Sequence, residues 1–303
     1  MALRTGLLKI NSLRRNFLLT RKASSNMGLQ YSVPEEKKEE IYNKSIDSKI
    51  IFNKKNIVKS DCIEKPELII FDKDGTLICF HAMWVPWIIG YVERIEQFSE
   101  LYLSSELYDK LGFCKKTKKV VPGLLAEGTM KQINDAVLDV MKSYGISKEK
   151  SIKIVEKVSK VMKEEQKDNK FIKEVTNIQR LFNALKNDNI KIAICTSDSR
   201  KNTIHTLSFL GVTPFIDFIR CGDDIGSVPK PDPSNALKIC SYLNVLPSKT
   251  IMVGDTLTDL KMAYLANLGG SVGVLTGVGN YSLLYPYSKM LVDDVSQIPM
   301  YFI

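Results

Sequence analysis

Five short apolar runs punctuate this chain. Leu68-Ile69-Ile70-Phe71 stops at Asp72-Lys73-Asp74-Gly75-Thr76-Leu77, and Lys191-Ile192-Ala193-Ile194-Cys195 stops at Thr196-Ser197-Asp198. Residues 215–220 form a third run. Thr250-Ile251-Met252-Val253 ends in Gly254-Asp255-Thr256-Leu257-Thr258-Asp259, and residues 271–275 end in Thr276-Gly277. Continuous apolar runs of this length predict strands buried on both faces, as in a parallel sheet. Helical stretches lie between the later runs, at residues 200–210, stopped by Gly211, and at residues 234–244, after the Pro-rich loop 228–233. Strands alternating with helices imply right-handed crossovers, so the expected fold class is α/β with a doubly wound parallel sheet.

Between the first and second runs the period changes. From His81 to Asn189 the pattern is helical and shows no strand. Trp84, Trp87, Ile88, Tyr91, Val92 and Ile95 share one helical face, which reads as core. Residues 127–144 predict a helix stopped by Gly145. Residues 147–166 predict another, with Ile152, Val155, Val158 and Val161 inside it, and residues 174–186 a third. Residues 80–189 are therefore expected to be an inserted all-helical domain. Residues 66–79 and 190–303 are expected to form the sheet domain that it interrupts.

Composition adds less. At 44% hydrophobic and 25% charged residues the chain has a globular composition. No apolar run reaches the about 18–20 residues that a membrane span requires, so no membrane partner is expected. Of the net charge of +9, six units come from Arg4, Lys9, Arg14, Arg15, Arg21 and Lys22 in residues 1–33, which carry no acid; the rest of the chain holds +3. So mild a balance gives no reason to expect a nucleic-acid partner.

Leu3, Leu7, Ile10, Phe17 and Leu18 recur at near-helical spacing among those arginines, with several hydroxyl residues. An acid-free amphipathic leader of this kind predicts a mitochondrial transit peptide and a matrix location. A basic tail on a cytoplasmic protein is the alternative. Residues 34–65 are charged and weakly periodic, as in a linker. Cys62, Cys79, Cys114, Cys195, Cys221 and Cys240 form no CxxC pair and are expected to be reduced thiols.

The chemistry gathers at the strand ends. Asp72 and Asp74 stand two apart where the first strand stops, at the edge where open α/β sheets place their sites, and Gly75 lets the chain bend there. Two such carboxylates repel unless a cation or a shared proton relieves them. Strand alternation is expected to point Lys73 away from both.

Asp72-Lys73-Asp74-Gly75-Thr76-Leu77, Thr196-Ser197-Asp198, Lys230 between Pro229 and Pro231, and Gly254-Asp255-Thr256-Leu257-Thr258-Asp259 occur in this order, each at a β-to-α junction. Together they resemble the four motifs of the haloacid-dehalogenase-like (HAD) hydrolase superfamily, over residues 66–295. The insert resembles its C1 cap. Phe80-His81-Ala82-Met83-Trp84 and Pro122-Gly123-Leu124-Leu125-Ala126-Glu127-Gly128-Thr129 resemble cap segments of its phosphoglycolate-phosphatase-like members.

The resemblance implies a Mg²⁺-dependent phosphatase of a small, phosphoglycolate-like monoester, working through an aspartyl phosphate. In that reading Asp72 attacks phosphorus and ligates Mg²⁺. Asp74 moves the proton of the leaving group and of the hydrolytic water, and its carbonyl also faces the ion. Asp255 is a direct ligand, and Asp259 holds a metal-bound water or orients Lys230. Thr196 and the backbone N–H of Ser197 hold the phosphoryl oxygens at a helix start, and Lys230 offsets their charge. Asp74 argues against a dehalogenase. A phosphomutase on the same scaffold and a non-catalytic binding protein are the alternatives, and the complete set of motif residues argues against the second. His81 either faces substrate or is packed or solvated. Lys115 and Lys116, in the basic run of residues 115–119, either hold a substrate carboxylate or form a solvated face. His205 reads as structural.

Overall fold

A computed structural model describes residues 64–165 and 169–299. The leader and nearly all of the linker lie outside the described residues, and with them the transit-peptide expectation. Strand β1 (Leu68–Phe71) is fully buried, as its unbroken apolar run requires. Ile69 and Phe71 face one side, with Ile192, Ile194, Ile251 and Val253 of neighbouring strands and Phe182 and Leu185 of the helix Ile178–Asn187. Leu68 and Ile70 face the other, with Ala193, Met252, Ala236, Ile239 and Met262. Helices thus cover both faces, which is the burial a parallel sheet needs.

In the insert, β2 (Phe113–Cys114) and β3 (Lys119–Val120) pair antiparallel. The sheet continues with β4 (Lys191–Cys195), β5 (Phe218–Arg220), β6 (Thr250–Gly254), β7 (Gly270–Val274) and β8 (Met290–Val292). Its order is β5-β4-β1-β6-β7-β8, with every pair parallel. The chain moves from β1 outward through β4 and β5, then returns to β6 on the other side. The carboxyl ends of β1, β4 and β6 therefore meet where the direction of winding reverses, the usual place for a ligand in an open α/β sheet.

Three strand features depart from the sequence expectation. The third strand begins only at Phe218, because Thr213–Phe215 makes a 3₁₀ turn around Pro214. Met290–Val292 adds a sixth strand, too short to show a period. The insert is not all helical, since the two-residue strands β2 and β3 interrupt it. Its helices are Phe80–Ser99, Ser104–Leu111, Leu124–Glu127, Met130–Ser143 and Lys148–Glu165.

The helix expected over residues 127–144 is split at Gly128. Thr129 starts the second piece with a capping box: its side chain accepts from Gln132 N, and Gln132 Oε1 accepts from Thr129 N. The aromatic stripe is core, as its spacing implies. Trp87, Ile88, Tyr91 and Val92 pack with Leu107, Ile133, Val137 and Val158 in a core of the insert's own. The helix Ile178–Asn187 instead buries Ile178, Leu181 and Phe182 in the sheet's core. Among the described residues Cys79, Cys114, Cys195, Cys221 and Cys240 are free thiols, and no helix is long and apolar enough to cross a membrane.

Candidate active site

Asp72 continues the β1 ladder by one hydrogen bond, its N–H donating to Val253 O at 2.9 Å. The chain then closes into a tight loop. The Lys73 carbonyl accepts from the N–H groups of Thr76, Leu77 and Ile78 at 3.3, 2.9 and 3.2 Å. Gly75 turns the loop with φ +85°, and a Cβ there would lie 2.5 Å from Asp255 Oδ2. Gly277 brings a second stretch of backbone against the same carboxylate, where a Cβ would lie 1.8 Å away. Only glycine permits these two approaches. They seat Asp255, fully buried, with Val278 N–H donating to its Oδ2 at 2.8 Å.

Lys230 joins the motifs. Its Nζ lies 2.5 Å from Asp72 Oδ1 and 2.7 Å from Asp259 Oδ1. The other oxygen of Asp259 accepts from Thr256 N and Thr256 Oγ1 at 3.2 and 2.6 Å, capping the helix Leu257–Leu265. One carboxylate thus caps a helix and aims a lysine, which fits the expected orienting role. Asp72, Asp255 and Asp259 bring carboxylate oxygens within 4.8 Å of one another, all three buried. Burial pushes the Asp72 carboxyl up to about 7; Lys230 works against this, while Asp259 and Asp74 add to it. Burial, then Asp72 and Asp259, hold Asp255 well above the usual carboxylate range. Burial disfavours the Lys230 ammonium, but Asp259 and Asp72 outweigh it and keep the lysine charged.

Lys73 does not point away from the carboxylates. The loop turns directly after Asp72, so strand alternation no longer applies. The lysine is 1% exposed, with its Nζ 2.7 Å from Asp74 Oδ2 and 3.1 Å from Asp198 Oδ2. Burial raises the Asp74 carboxyl, Lys73 opposes this and Asp198 reinforces it. Asp74 Oδ1 and the nearby Trp84 Nε1 are buried and neither has a close hydrogen-bond partner among the described residues, though the indole N–H is near enough to lower the Asp74 carboxyl. The pairing therefore leaves Oδ1 as the oxygen available for chemistry.

Thr196 and Ser197 follow β4 as expected. Thr196 Oγ1 accepts from Asp198 N at 3.1 Å, which leaves its own proton free to be donated. Ser197 Oγ donates to the Glu127 carbonyl at 3.1 Å and so ties this motif to the insert. Phe80, Trp84, Leu125, Glu127 and Met130 of the insert face the carboxylates across a cleft that also includes Thr196, Lys230, Thr256 and Thr258. The free space is about 30 Å³, room for about one water.

Glu127, Asp198 and Trp84 were not foreseen as site residues. Trp84 lies on the core stripe and differs only in standing at its end, beside Asp74. Asp198 and Glu127 belong to quoted motifs, yet nothing in their spacing shows where the side chains turn.

The motif residues expected to act together are together: Asp72, Asp74, Thr196, Ser197, Lys230, Asp255 and Asp259. His81 is half-buried at the start of its helix, edge-on to the Phe80 ring at 5.9 Å, and does not line the cleft. Burial and Lys119 lower its pKa. Lys115 and Lys116 lie exposed in the β2–β3 ribbon. Lys115 stands over the Tyr108 ring, 5.8 Å from its centre, beside a separate surface depression. The solvated-face reading of this run is the one the structure favours. His205 pairs with Asn169 Oδ1 at 2.7 Å and does not line the cleft that holds Asp72, Asp74 and Asp259.

The family model described as haloacid dehalogenase-like hydrolase matches residues 119–270, half of the chain. The chain belongs to the haloacid dehalogenase-like hydrolases. A phosphoglycolate phosphatase from Nitrosococcus oceani is 22% identical over 207 residues, which is 68% of this hydrolase and 82% of that protein. One from Psychrobacter arcticus is 24% identical over 216 residues, 67% of this chain and 80% of its own. Among solved structures, a predicted phosphoglycolate phosphatase from Haemophilus somnus has a TM-score of 0.59 at 18% identity, covering 77% of this chain and 96% of that one. A beta-phosphoglucomutase from Clostridium difficile has 0.57 at 23% identity, covering 78% and 97%. These structural likenesses show a shared fold.

The haloacid dehalogenase-like hydrolase site fits a divalent cation. Its donors are all oxygens, the preference of Mg²⁺. Asp255 Oδ1 is buried and has no hydrogen-bond partner among the described residues. Burial and neighbouring carboxylates raise Asp72 and Asp255, and a bound cation would relieve both.

Proposed function

We propose that this hydrolase is a Mg²⁺-dependent phosphatase of small phosphate monoesters, working through an aspartyl phosphate on Asp72. The observation that carries the reading is the convergence of buried Asp72, Asp255 and Asp259 to within 4.8 Å, with Lys230 between the first and third. Asp72, Asp255 and the Asp74 carbonyl would hold Mg²⁺, with Asp259 reaching it through water. When bound, the ion offsets the repulsion between an anionic ester and these carboxylates.

Asp72 forms its bond to phosphorus as the bond from phosphorus to the ester oxygen breaks. Asp74 gives a proton to the departing alkoxide, and the upward push that burial and Asp198 exert on its carboxyl favours the protonated donor form. It then takes a proton from the water that attacks phosphorus. That attack breaks the bond to Asp72 and releases inorganic phosphate. Thr196 Oγ1 and the Ser197 N–H hold the phosphoryl oxygens, and Lys230 offsets the charge that develops. The free space of about 30 Å³ holds about one water, so an ester enters when the insert swings away. Its return excludes bulk water.

The relatives named phosphoglycolate phosphatase support hydrolysis of a small ester. The likeness to a beta-phosphoglucomutase extends to the fold and does not separate a mutase from a phosphatase. The test is a panel of phosphate esters with Mg²⁺. Inorganic phosphate released in step with substrate loss, and abolished by chelator, is the expected result. An isomerised phosphate ester as product would support the mutase, and full activity in excess chelator would exclude the metal site. A mitochondrial location remains a proposal carried by the acid-free leader. It is tested by whether residues 1–33 direct a reporter to mitochondria.

A further inference from the structure

The reacting end of the cleft belongs to the sheet, but the non-reacting end is built by the insert. The insert's lining residues there include Phe80, Trp84, Leu125, Glu127 and Met130, and of these only Glu127 carries a charged side chain. Among the described residues that line the cleft, Lys230 is the one cation, and Asp72 and Asp259 already hold it at 2.5 and 2.7 Å. Lys73 is likewise committed to Asp74 and Asp198. Lys261 is near enough to influence Glu127, but it lies outside the cleft, 5.4 Å from the centre of the Tyr287 ring. Lys115 stands at a different depression.

A substrate carboxylate bound at this end would meet Glu127 with no uncommitted side-chain cation among the lining residues to offset it. An uncompensated anion in a partly dry site is costly, and like charges placed together discriminate strongly between ligands. A hydroxyl or ammonium group would instead donate to the Glu127 carboxylate.

We propose that Glu127 selects phosphate monoesters whose small alcohol part carries a hydrogen-bond donor and no second anion, and disfavours phosphocarboxylates. The proposal rests on the phosphatase reading and names the substrate class of the same site. The sheet residues handle the phosphoryl group common to all such esters. The insert reads the rest, and its chemistry in this chain is acidic. Burial and the charge of Asp259 push the Glu127 carboxyl up to about 7. A second anion would push it further, whereas a donor or cation would lower it.

The test compares 2-hydroxyethyl phosphate with 2-phosphoglycolate, which differ chiefly in hydroxyl against carboxylate. The full chain is assayed with Mg²⁺ at pH 8, above the value of about 7 to which burial and Asp259 push Glu127, with p-nitrophenyl phosphate as a reference. The expected kcat/KM favours the hydroxyl ester by about tenfold or more, and Glu127→Gln shrinks that ratio toward one. Phosphoglycolate turned over as well as or better than the hydroxyl ester would overturn the proposal while leaving the phosphatase reading intact, as would an unchanged ratio in folded Glu127→Gln. The wild-type ratio decides alone if the variant does not fold. No phosphate released from any ester, p-nitrophenyl phosphate included, would overturn both.

Discussion

Lys73 sets its ammonium 2.7 Å from Asp74 Oδ2, and the same ammonium lies 3.1 Å from Asp198 Oδ2. A single buried lysine thereby ties the first motif to the second and fixes which oxygen of Asp74 remains free. Removing one partner of a buried ionic group leaves the others uncompensated. Lys73→Met is expected to cost about 3–5 kcal/mol of stability in denaturant unfolding. Adding Asp198→Asn should recover part of it, because the two residues share one network. A Lys73→Met protein as stable as wild type would contradict this account of the loop.

Ser197 Oγ donates to the Glu127 carbonyl at 3.1 Å and so joins the sheet to the insert. Ser197→Ala removes that bond and keeps the backbone N–H. A net loss of about 0.5–1.5 kcal/mol is expected, and KM should rise more than kcat falls, because the closed position of the insert weakens. Steady-state kinetics checks this, and a fall in kcat at constant KM would count against it.

How much of this was legible before the structure depends on whether a side chain's direction follows from a period. The apolar runs ending at Asp72, Thr196 and Asp255 mark both the strands and the site, because a fully buried strand leaves polar residues only at its end. The stripe from Trp84 to Ile95 shows its buried face because a helix repeats regularly. Lys73 was misread because alternation stops where the loop turns. Glu127 and Asp198 were not seen as site residues because loop geometry, not spacing, aims them. The ribbon of β2 and β3 and the strand Met290–Val292 were missed because two or three residues show no period.

Lys115 and Lys116 give a contrasting expectation. Both lie exposed in the β2–β3 ribbon, and neither lines the cleft. Reversing both charges is expected to leave kcat/KM for small esters within about twofold, since exposed charges are well screened. A tenfold change confined to anionic substrates would place the run at the substrate after all.

The metal should be visible without turnover. Burial pushes the Asp72 carboxyl of the folded protein up to about 7, against 3.8 ordinarily. The folded state thus favours the protonated form. Ionising this group as pH rises from its ordinary value through about 7 costs the metal-free protein stability. Mg²⁺ needs the ionised form, so the rise in Tm on adding it should be larger at pH 8 than at pH 6. Equal shifts at the two pH values would contradict this assignment of ligands.

The role of Asp72 is the centre of the account, and Asp72→Asn tests it most directly. An amide of the same shape neither attacks phosphorus nor binds Mg²⁺ as an anion, and it relieves crowding with Asp255 and Asp259. The measurement is kcat for release of inorganic phosphate in saturating Mg²⁺, on protein whose thermal unfolding shows that it is folded. We expect a fall of about a thousandfold or more, with Tm in metal-free buffer unchanged or higher. A folded Asp72→Asn protein that kept kcat within about tenfold of wild type would contradict the account.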